Sequence, residues 1–460
     1  MLPELTAEHL TTVLARYPRP PRYWIAFSGG LDSTVLMHAC CALRGTSLLP
    51  LFSAVHVHHG LQSAADTWVA HCADICQVLA VPFEVRYVGA HAAPGESPEE
   101  AARKARYAAL AQLISPGEVL LTAQHMDDQA ETLLLQLLRG AGIPGLAAMP
   151  PWSCFGPGFL CRPLLDFSRR SLQQYAERHN LRWIDDPSNE DLRFDRNYLR
   201  REILPRLEVR WPALAQATCR TARHCAEAYG LLEEMSDELL RRVRHPARNT
   251  LFVDRLTSLS SPRQRLTLRK WLRTSGCLPP SRAIIERILS ELLPAGADRQ
   301  PAIRYRQAEL RRYRGELYLL KPSPAFDTGS VLSWDGQSPL SLGQANGTLT
   351  IAVEPGPGID PRHWRTGAIS VRYRQGGEAL RLPNRPGTRK LKKLLQEAEV
   401  EPWTRERMPL VYIGNILAAV GDLWVGETFS GKPNDTNVRI RWERPVLTID
   451  AQCRISNPAL

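Results

Sequence analysis

Two short stretches of this chain hold residue types whose spacing can do chemistry. The first is Ser28-Gly29-Gly30-Leu31-Asp32-Ser33. Five apolar or aromatic residues, Tyr23 to Phe27, precede it, and Val35, Leu36 and Ala39 follow at helical spacing. A strand, a glycine turn and a helix start near Asp32 or Ser33 make an anion site. The first N–H groups of a helix have no partner, and its dipole favours negative charge. The hydroxyls of Ser28 and Ser33 add donors. Asp32 has the wrong sign for a phosphate unless a cation such as Mg²⁺ lies between them. The loop lacks the Lys of GxxxxGK[ST] and is not GxGxxG. Its plain structural alternative is a strand-to-helix turn in which Ser33 caps the helix.

The second stretch is TAQHMDDQAET, Thr122 to Thr132. Asp128 and Glu131 are three apart, so both project from one face of a first helical turn. Asp127 lies one position off, and His125 just precedes them. Acids are favoured at any helix N-terminus. Three acids beside a His at the end of a strand also suit a metal or a cationic substrate.

The elements around these stretches alternate. Residues 5–16 read as an amphipathic lead-in helix. Leu51, Phe52, Ala54, Val55 and Val57 mark a second strand ending in His56-Val57-His58-His59. Alternation puts His56 and His58 on one face. They are either a metal pair or part of the lining of a nucleotide pocket. A helix over 66–79, a strand over 83–88, a helix capped by Ser97 and a strand over 119–122 follow. The Ser97 helix carries Arg103, Arg106 and Tyr107, as a solvated face or as a phosphate contact. Four strands alternating with helices predict an α/β fold with a doubly wound parallel sheet. Ser168 caps a helix ending near Asn180.

Beyond residue 205 the chain changes character. Residues 206–293 read as helical and arginine-rich, 317–320 as a strand, and 321–339 as a linker. Residues 340–460 read as short strands and turns, a small α+β domain, with one helix over Thr388 to Glu399. Three domains are expected: 1–205, 206–325 and 326–460. The last helix carries Arg389, Lys390, Lys392 and Lys393, with Arg381 and Arg385 before it. Its first half has no acid, which favours contact with RNA phosphates.

The chain has 460 residues and a net charge of +11, which suits a phosphate-rich partner. No apolar run is long enough to span a membrane, and residues 1–10 show no leader pattern. The ten cysteines form no CxxC pair, so they read as reduced and mostly buried. The expected location is the cytoplasm.

SGGLDS resembles the pyrophosphate loop of the ATP pyrophosphatases. Together with VHHGLQ at 57–62, TAQHMDDQAET, and DDPSN at 185–189 with FDRNYLRREILP at 194–205, it resembles bacterial tRNA(Ile)-lysidine synthetases. A further block, GGEALRLPNRPGTRKLKKLLQEAEV at 376–400, extends the resemblance into the C-terminal part. Residues 206–325 match only in position and character. One departure is His58-His59, where the family usually has Asp-His.

The resemblance implies an ATP-dependent ligase. ATP would adenylate the C2 oxygen of the cytidine at the first anticodon position of a CAU-bearing tRNA(Ile). The ε-amine of L-lysine would then attack C2 and expel AMP, forming lysidine. Ser28, Gly29, Gly30, Leu31, Asp32 and Ser33 would hold ATP, with Mg²⁺ on Asp32. His125 would meet the α-phosphate. Asp128 and Glu131 would hold lysine's ammonium, and Arg196 or Arg200 its carboxylate. Arg381, Arg385, Arg389, Lys390, Lys392 and Lys393 would bind tRNA. A related thiolase is the alternative within the superfamily, and the missing CxxC speaks against it. A non-catalytic tRNA-binding protein is the alternative from another class. Assembly is left open, a homodimer included.

Overall fold

The computed structural model describes residues 4–43, 51–58, 60, 65–89, 98–296, 301–306, 308–322, 327–343, 346–383, 385–445 and 447–449. The expected Ser97 cap and His59 lie outside them. The chain divides into two compact units, one reaching Met235 and the other running over Ser236–Cys453.

The first unit alternates as the sequence predicts. Its elements are α1 (Ala7–Leu14), β1 (Arg22–Ala26), α2 (Leu31–Ala42), β2 (Leu51–His58), α3 (Ala65–Val78), β3 (Phe83–Tyr87), α4 (Pro98–Leu113), β4 (Val119–Leu121) and α5 (Met126–Leu138). The short α6 (Ile143–Leu146), a hairpin of β5 (Trp152–Phe155) and β6 (Gly158–Cys161), and α7 (Arg169–Arg178) follow. The six strands form one sheet in the order β3-β2-β1-β4-β6-β5. All neighbours are parallel except the edge strand β5, which runs antiparallel to β6.

The apolar run over residues 23–27 has its physical reason in this sheet. Tyr23, Ile25 and Phe27 pack on one side with Val35 and Leu36 of α2, Cys72 of α3 and Leu172 of α7. Trp24 packs on the other side with Val55, Leu110, Leu120 and Leu160. Burying each such side chain contributes about 1.5–3 kcal/mol. The order reverses between β1 and β4, and in open α/β sheets ligands bind beyond the strands' carboxyl ends at such a point. SGGLDS follows β1 there, and TAQH follows β4.

The helix after residue 194 is less regular than expected. Asp195–Tyr198 (α8) and Leu204–Arg210 (α9) flank a π-helical turn, Leu199–Ile203. Pro205 brings no N–H to the helix ladder, and its ring crowds the preceding turn, which widens the coil there. Arg200 sits in that turn.

The second unit holds more strands than the sequence suggests. Thr250–Phe252 lies within the stretch expected to be helical. It joins a four-stranded antiparallel sheet with Glu316–Leu320, Ala308–Tyr313 and Ala302–Tyr305. Trp271, Ile285, Leu310 and Leu317 pack in the core beneath it. The expected linker contains Leu332–Trp334, which pairs with Ile369–Arg372 in a five-stranded sheet. The expected helix over Thr388 to Glu399 is corrected. Thr388–Lys390 is a strand paired antiparallel with Ala379–Arg381, and the helix is only Leu391–Glu397. Pairing across the turn claims the backbone of 388–390, which local helix propensity cannot override. Among the described residues no helix is long and apolar enough to cross a membrane.

Candidate active site

The glycine loop is prebuilt by its own hydroxyls. Ser33 Oγ lies 3.1 Å from Ser28 Oγ and donates to the Gly30 carbonyl at 3.0 Å. The Ser28 amide donates to Ser33 Oγ at 3.3 Å. The helix begins at Leu31 with Gly30 as its cap residue, so Ser33 does not cap it but ties the loop to itself. Gly29 has φ +81°, and a Cβ there would come within 2.9 Å of Cys72 Sγ. Both facts require glycine. The Ile184 amide donates to the Gly29 carbonyl at 2.9 Å. Sequence reasoning missed this strap, which joins the DDPSN block to the loop through backbone alone.

His125 links the loop to the acidic block. It is 1% exposed, with Nε2 3.6 Å from Asp32 Oδ2 and 3.3 Å from Asp128 Oδ2. Nδ1 lies 3.5 Å from Asp127 Oδ2. Burial opposes charge on this ring, but Asp128, Asp127 and Asp32 outweigh it and raise its pKa to about 10. The Asp127 amide, 3.2 Å from Nδ1, is its partner only when the ring is neutral. Asp32 is half-buried; its desolvation opposes charge, yet its carboxyl is held below the usual range by His125. Asp32 Oδ1 is buried and has no hydrogen-bond partner among the described residues. A buried carboxylate oxygen without a donor fits a divalent cation shared with phosphate oxygens.

Asp128, Glu131, Arg196 and Arg200 come together, but paired with one another. Arg200 grips Glu131 through Nε at 2.6 Å and Nη2 at 3.0 Å, and Nη2 also reaches Asp128 Oδ1 at 3.0 Å. Arg196 Nε lies 3.1 Å from Glu131 Oε2, and its Nη2 donates to Thr132 Oγ1 at 3.0 Å. Burial raises the Glu131 carboxyl against the pull of both guanidiniums. The two arginines expected at a substrate carboxylate are here paired with the acids, which they clamp. Two other partners went unnoticed in the sequence. The Arg169 amide donates to Asp127 Oδ2 at 2.8 Å, and Thr132 receives Arg196.

The pattern of the PP-loop domain family matches residues 4–207. That of the TilS substrate binding domain matches 251–318, and that of the TilS substrate C-terminal domain matches 369–442. A tRNA(Ile)-lysidine synthase of Methylococcus capsulatus is 47% identical over 422 residues, 91% of this chain and 96% of that protein. Those of Coxiella burnetii and Pseudomonas aeruginosa are 40% and 42% identical, covering 96% and 95% of this chain and 97% and 96% of theirs. The chain belongs to the tRNA(Ile)-lysidine synthase family. A solved U34-tRNA thiolase from Methanococcus maripaludis covers 48% of this chain and 78% of its own, at 16% identity and a TM-score of 0.41, too distant to bear on chemistry.

The lysidine synthase resemblance set the strand-end histidines apart, and their surroundings are plain. His56 is buried, with Nδ1 2.9 Å from the Phe27 carbonyl, and burial lowers its pKa. His58 Nε2 lies 3.3 Å from Asp66. Among the described residues no group of three or more His, Cys, Asp or Glu is placed to hold a metal ion by itself.

The C-terminal cations of this lysidine synthase-family chain divide into two sets. Arg385 and Arg389 both reach Glu397 at 3.3 Å, and Arg381 pairs with Glu427 at 2.5 Å. Lys390, Lys392 and Lys393 are exposed and have no ion-pair partner among the described residues. Lys392 and Lys393 fall in the first turn of Leu391–Glu397, where the helix dipole disfavours cations.

Proposed function

We propose that this chain is a lysidine-forming ligase that joins L-lysine to the cytidine at the first anticodon position of a CAU-bearing tRNA(Ile). The observation that carries the reading is His125, which joins a phosphate-type loop on Asp32 to the Asp128–Glu131 pair inside a family of lysidine synthases. The backbone and hydroxyls of Ser28, Gly29, Gly30, Leu31 and Ser33 cradle the β- and γ-phosphates of ATP. The C2 oxygen of cytosine attacks the α-phosphorus, and pyrophosphate leaves. Mg²⁺ on Asp32 supplies neutralising charge when bound. His125, held cationic by its acids, faces the charge that develops at the α-phosphate.

In the second step the lysine ε-amine attacks C2 and AMP leaves with the former C2 oxygen. Asp128 and Glu131, fixed by Arg200 and Arg196, receive the ammonium and take its proton. A base attacked on its ring must be unstacked, and an anticodon loop allows that. Residues 1–205 form the catalytic part in this reading, and 206–325 and 326–460 bind tRNA. Lys390, Lys392 and Lys393 make the clearest phosphate contacts, with Arg381, Arg385 and Arg389 released from their acids to join them. A tRNA substrate supports a cytoplasmic location.

The test is incubation with ATP and labelled lysine, with and without CAU-bearing tRNA(Ile). Label should enter tRNA only when ATP is present, with one pyrophosphate released per lysine. Pyrophosphate release without lysine incorporation, in the presence of all three substrates, overturns the reading.

A further inference from the structure

A second cationic cluster stands at the carboxyl edge of the same sheet, outside the groups used above. Arg162 directly follows β6, beside β4, where the Thr122 amide donates to the Cys161 carbonyl at 3.0 Å. Its side chain is 1% exposed. Nη1 donates to the Pro150 carbonyl at 2.7 Å. Nε and Nη2 are buried and have no hydrogen-bond partner among the described residues. Burial pulls its pKa down, Arg103 adds to that, and Tyr107 offsets part of it.

The rim over this guanidinium is partly exposed. The Tyr107 hydroxyl lies 3.4 Å from Gln124 Nε2, one residue before His125. The Arg103 guanidinium stacks 5.2 Å from the Tyr107 ring centre. Arg162 has no carboxylate partner among the described residues. Two guanidiniums converge on one tyrosine, and the inner one is buried without a counter-charge. A buried charge without a counter-charge is costly, and an anion bound here would offset that cost.

We propose that Arg162, with Arg103 and Tyr107 at its mouth, binds the α-carboxylate of the amino-acid substrate. The inference rests on the lysine-ligation reading. A guanidinium fork matches a planar carboxylate through two parallel hydrogen bonds. A polynucleotide phosphate is too bulky for a side chain so deeply buried, whereas a free amino acid is small. Arg196 and Arg200, the other cations near the acids, already hold Glu131, Asp128 and Thr132. Among the described residues the carboxylate end of lysine thus has this buried guanidinium, without a counter-charge, left to meet on this sheet edge, while its ammonium meets the acids.

The test compares lysine with 1,5-diaminopentane, which is lysine without its carboxylate, as amine donors to tRNA at saturating ATP. In the wild-type enzyme the KM for lysine should be roughly 10- to 100-fold below that of the diamine, the range of a charged hydrogen-bond pair. Arg162→Met should raise the lysine KM to the diamine's level and leave the diamine KM where it was. Arg103→Gln, on the rim and free of any folding penalty from the core, should move in the same direction by a smaller factor. Equal KM shifts for both amines, or a lysine KM unchanged in Arg103→Gln, overturn the pocket. A change in tRNA affinity alone also overturns it and marks the cluster as a phosphate contact. A wild-type enzyme that ligates no lysine overturns the ligation reading itself, a result distinct from loss of the pocket alone.

Discussion

The glycine loop and the basic C-terminal segment are both rich in signals, and they behave differently in three dimensions. In the loop both serine side chains interlock within six residues, Ser28 with Ser33 and Ser33 with the Gly30 carbonyl, and only Asp32 reaches outside it, to His125. In the C-terminal segment the three arginines pair with acids beyond their own turn, and the three lysines have no ion-pair partner among the described residues. Glu397 takes Arg385 and Arg389, and Glu427 takes Arg381. Local contacts make a site readable from a short motif. Cross-strand and long-range pairs do not, because the partner that neutralises a charge lies far off in the chain.

The largest expected effect is in the loop. Asp32→Ala should lower pyrophosphate release roughly a thousandfold or more, since the phosphate charge loses its cation bridge. Chelation of divalent ions should do the same to the unmodified enzyme, and tRNA binding should survive both. Normal pyrophosphate release by the variant removes Asp32 from the metal role.

Glu131→Gln tests whether the acidic block is separate from the loop. Lysine transfer should fall by roughly a hundredfold while ATP- and tRNA-dependent pyrophosphate release persists. Arg200 also loses its charged bidentate partner, so stability should drop by about 3 kcal/mol, read from denaturant melts. An equal fall in both half-reactions with an unchanged lysine KM would defeat the lysine-pocket assignment.

Gly29→Ala probes how finely the loop is fitted. Its φ of +81° and the 2.9 Å approach to Cys72 predict a loss of about 1–2 kcal/mol in stability and weaker ATP binding. An unchanged melting temperature together with unchanged ATP affinity would show that the loop can shift to take a Cβ.

The smallest effects separate the two sets of C-terminal cations. Removing Lys390, Lys392 and Lys393 together should flatten the salt dependence of tRNA binding by up to roughly 0.7–0.9 in log–log slope per lost phosphate contact. Removing Arg385 and Arg389 should flatten it less per residue, because both already hold Glu397. Slopes ordered the other way would show that tRNA displaces Glu397 from the arginines.

What the chain determined by itself is local. A two-faced apolar strand, a glycine turn and a helix are set by neighbours a few residues apart, so the PP-loop sheet and SGGLDS could be read directly. The i,i+3 spacing of Asp128 and Glu131 placed both acids on one face, as found. Tertiary structure decided the rest. It paired Thr250–Phe252 and Thr388–Lys390 into sheets, because strand partners come from far along the chain. It turned Arg196 and Arg200 from free cations into clamps on Glu131, and it buried His125 among three carboxylates. It also left Arg162 buried without an acid, which nothing in Cys161-Arg162-Pro163 foretells. Charge state and pairing depend on burial and distance, and those exist only once the segments have been brought together.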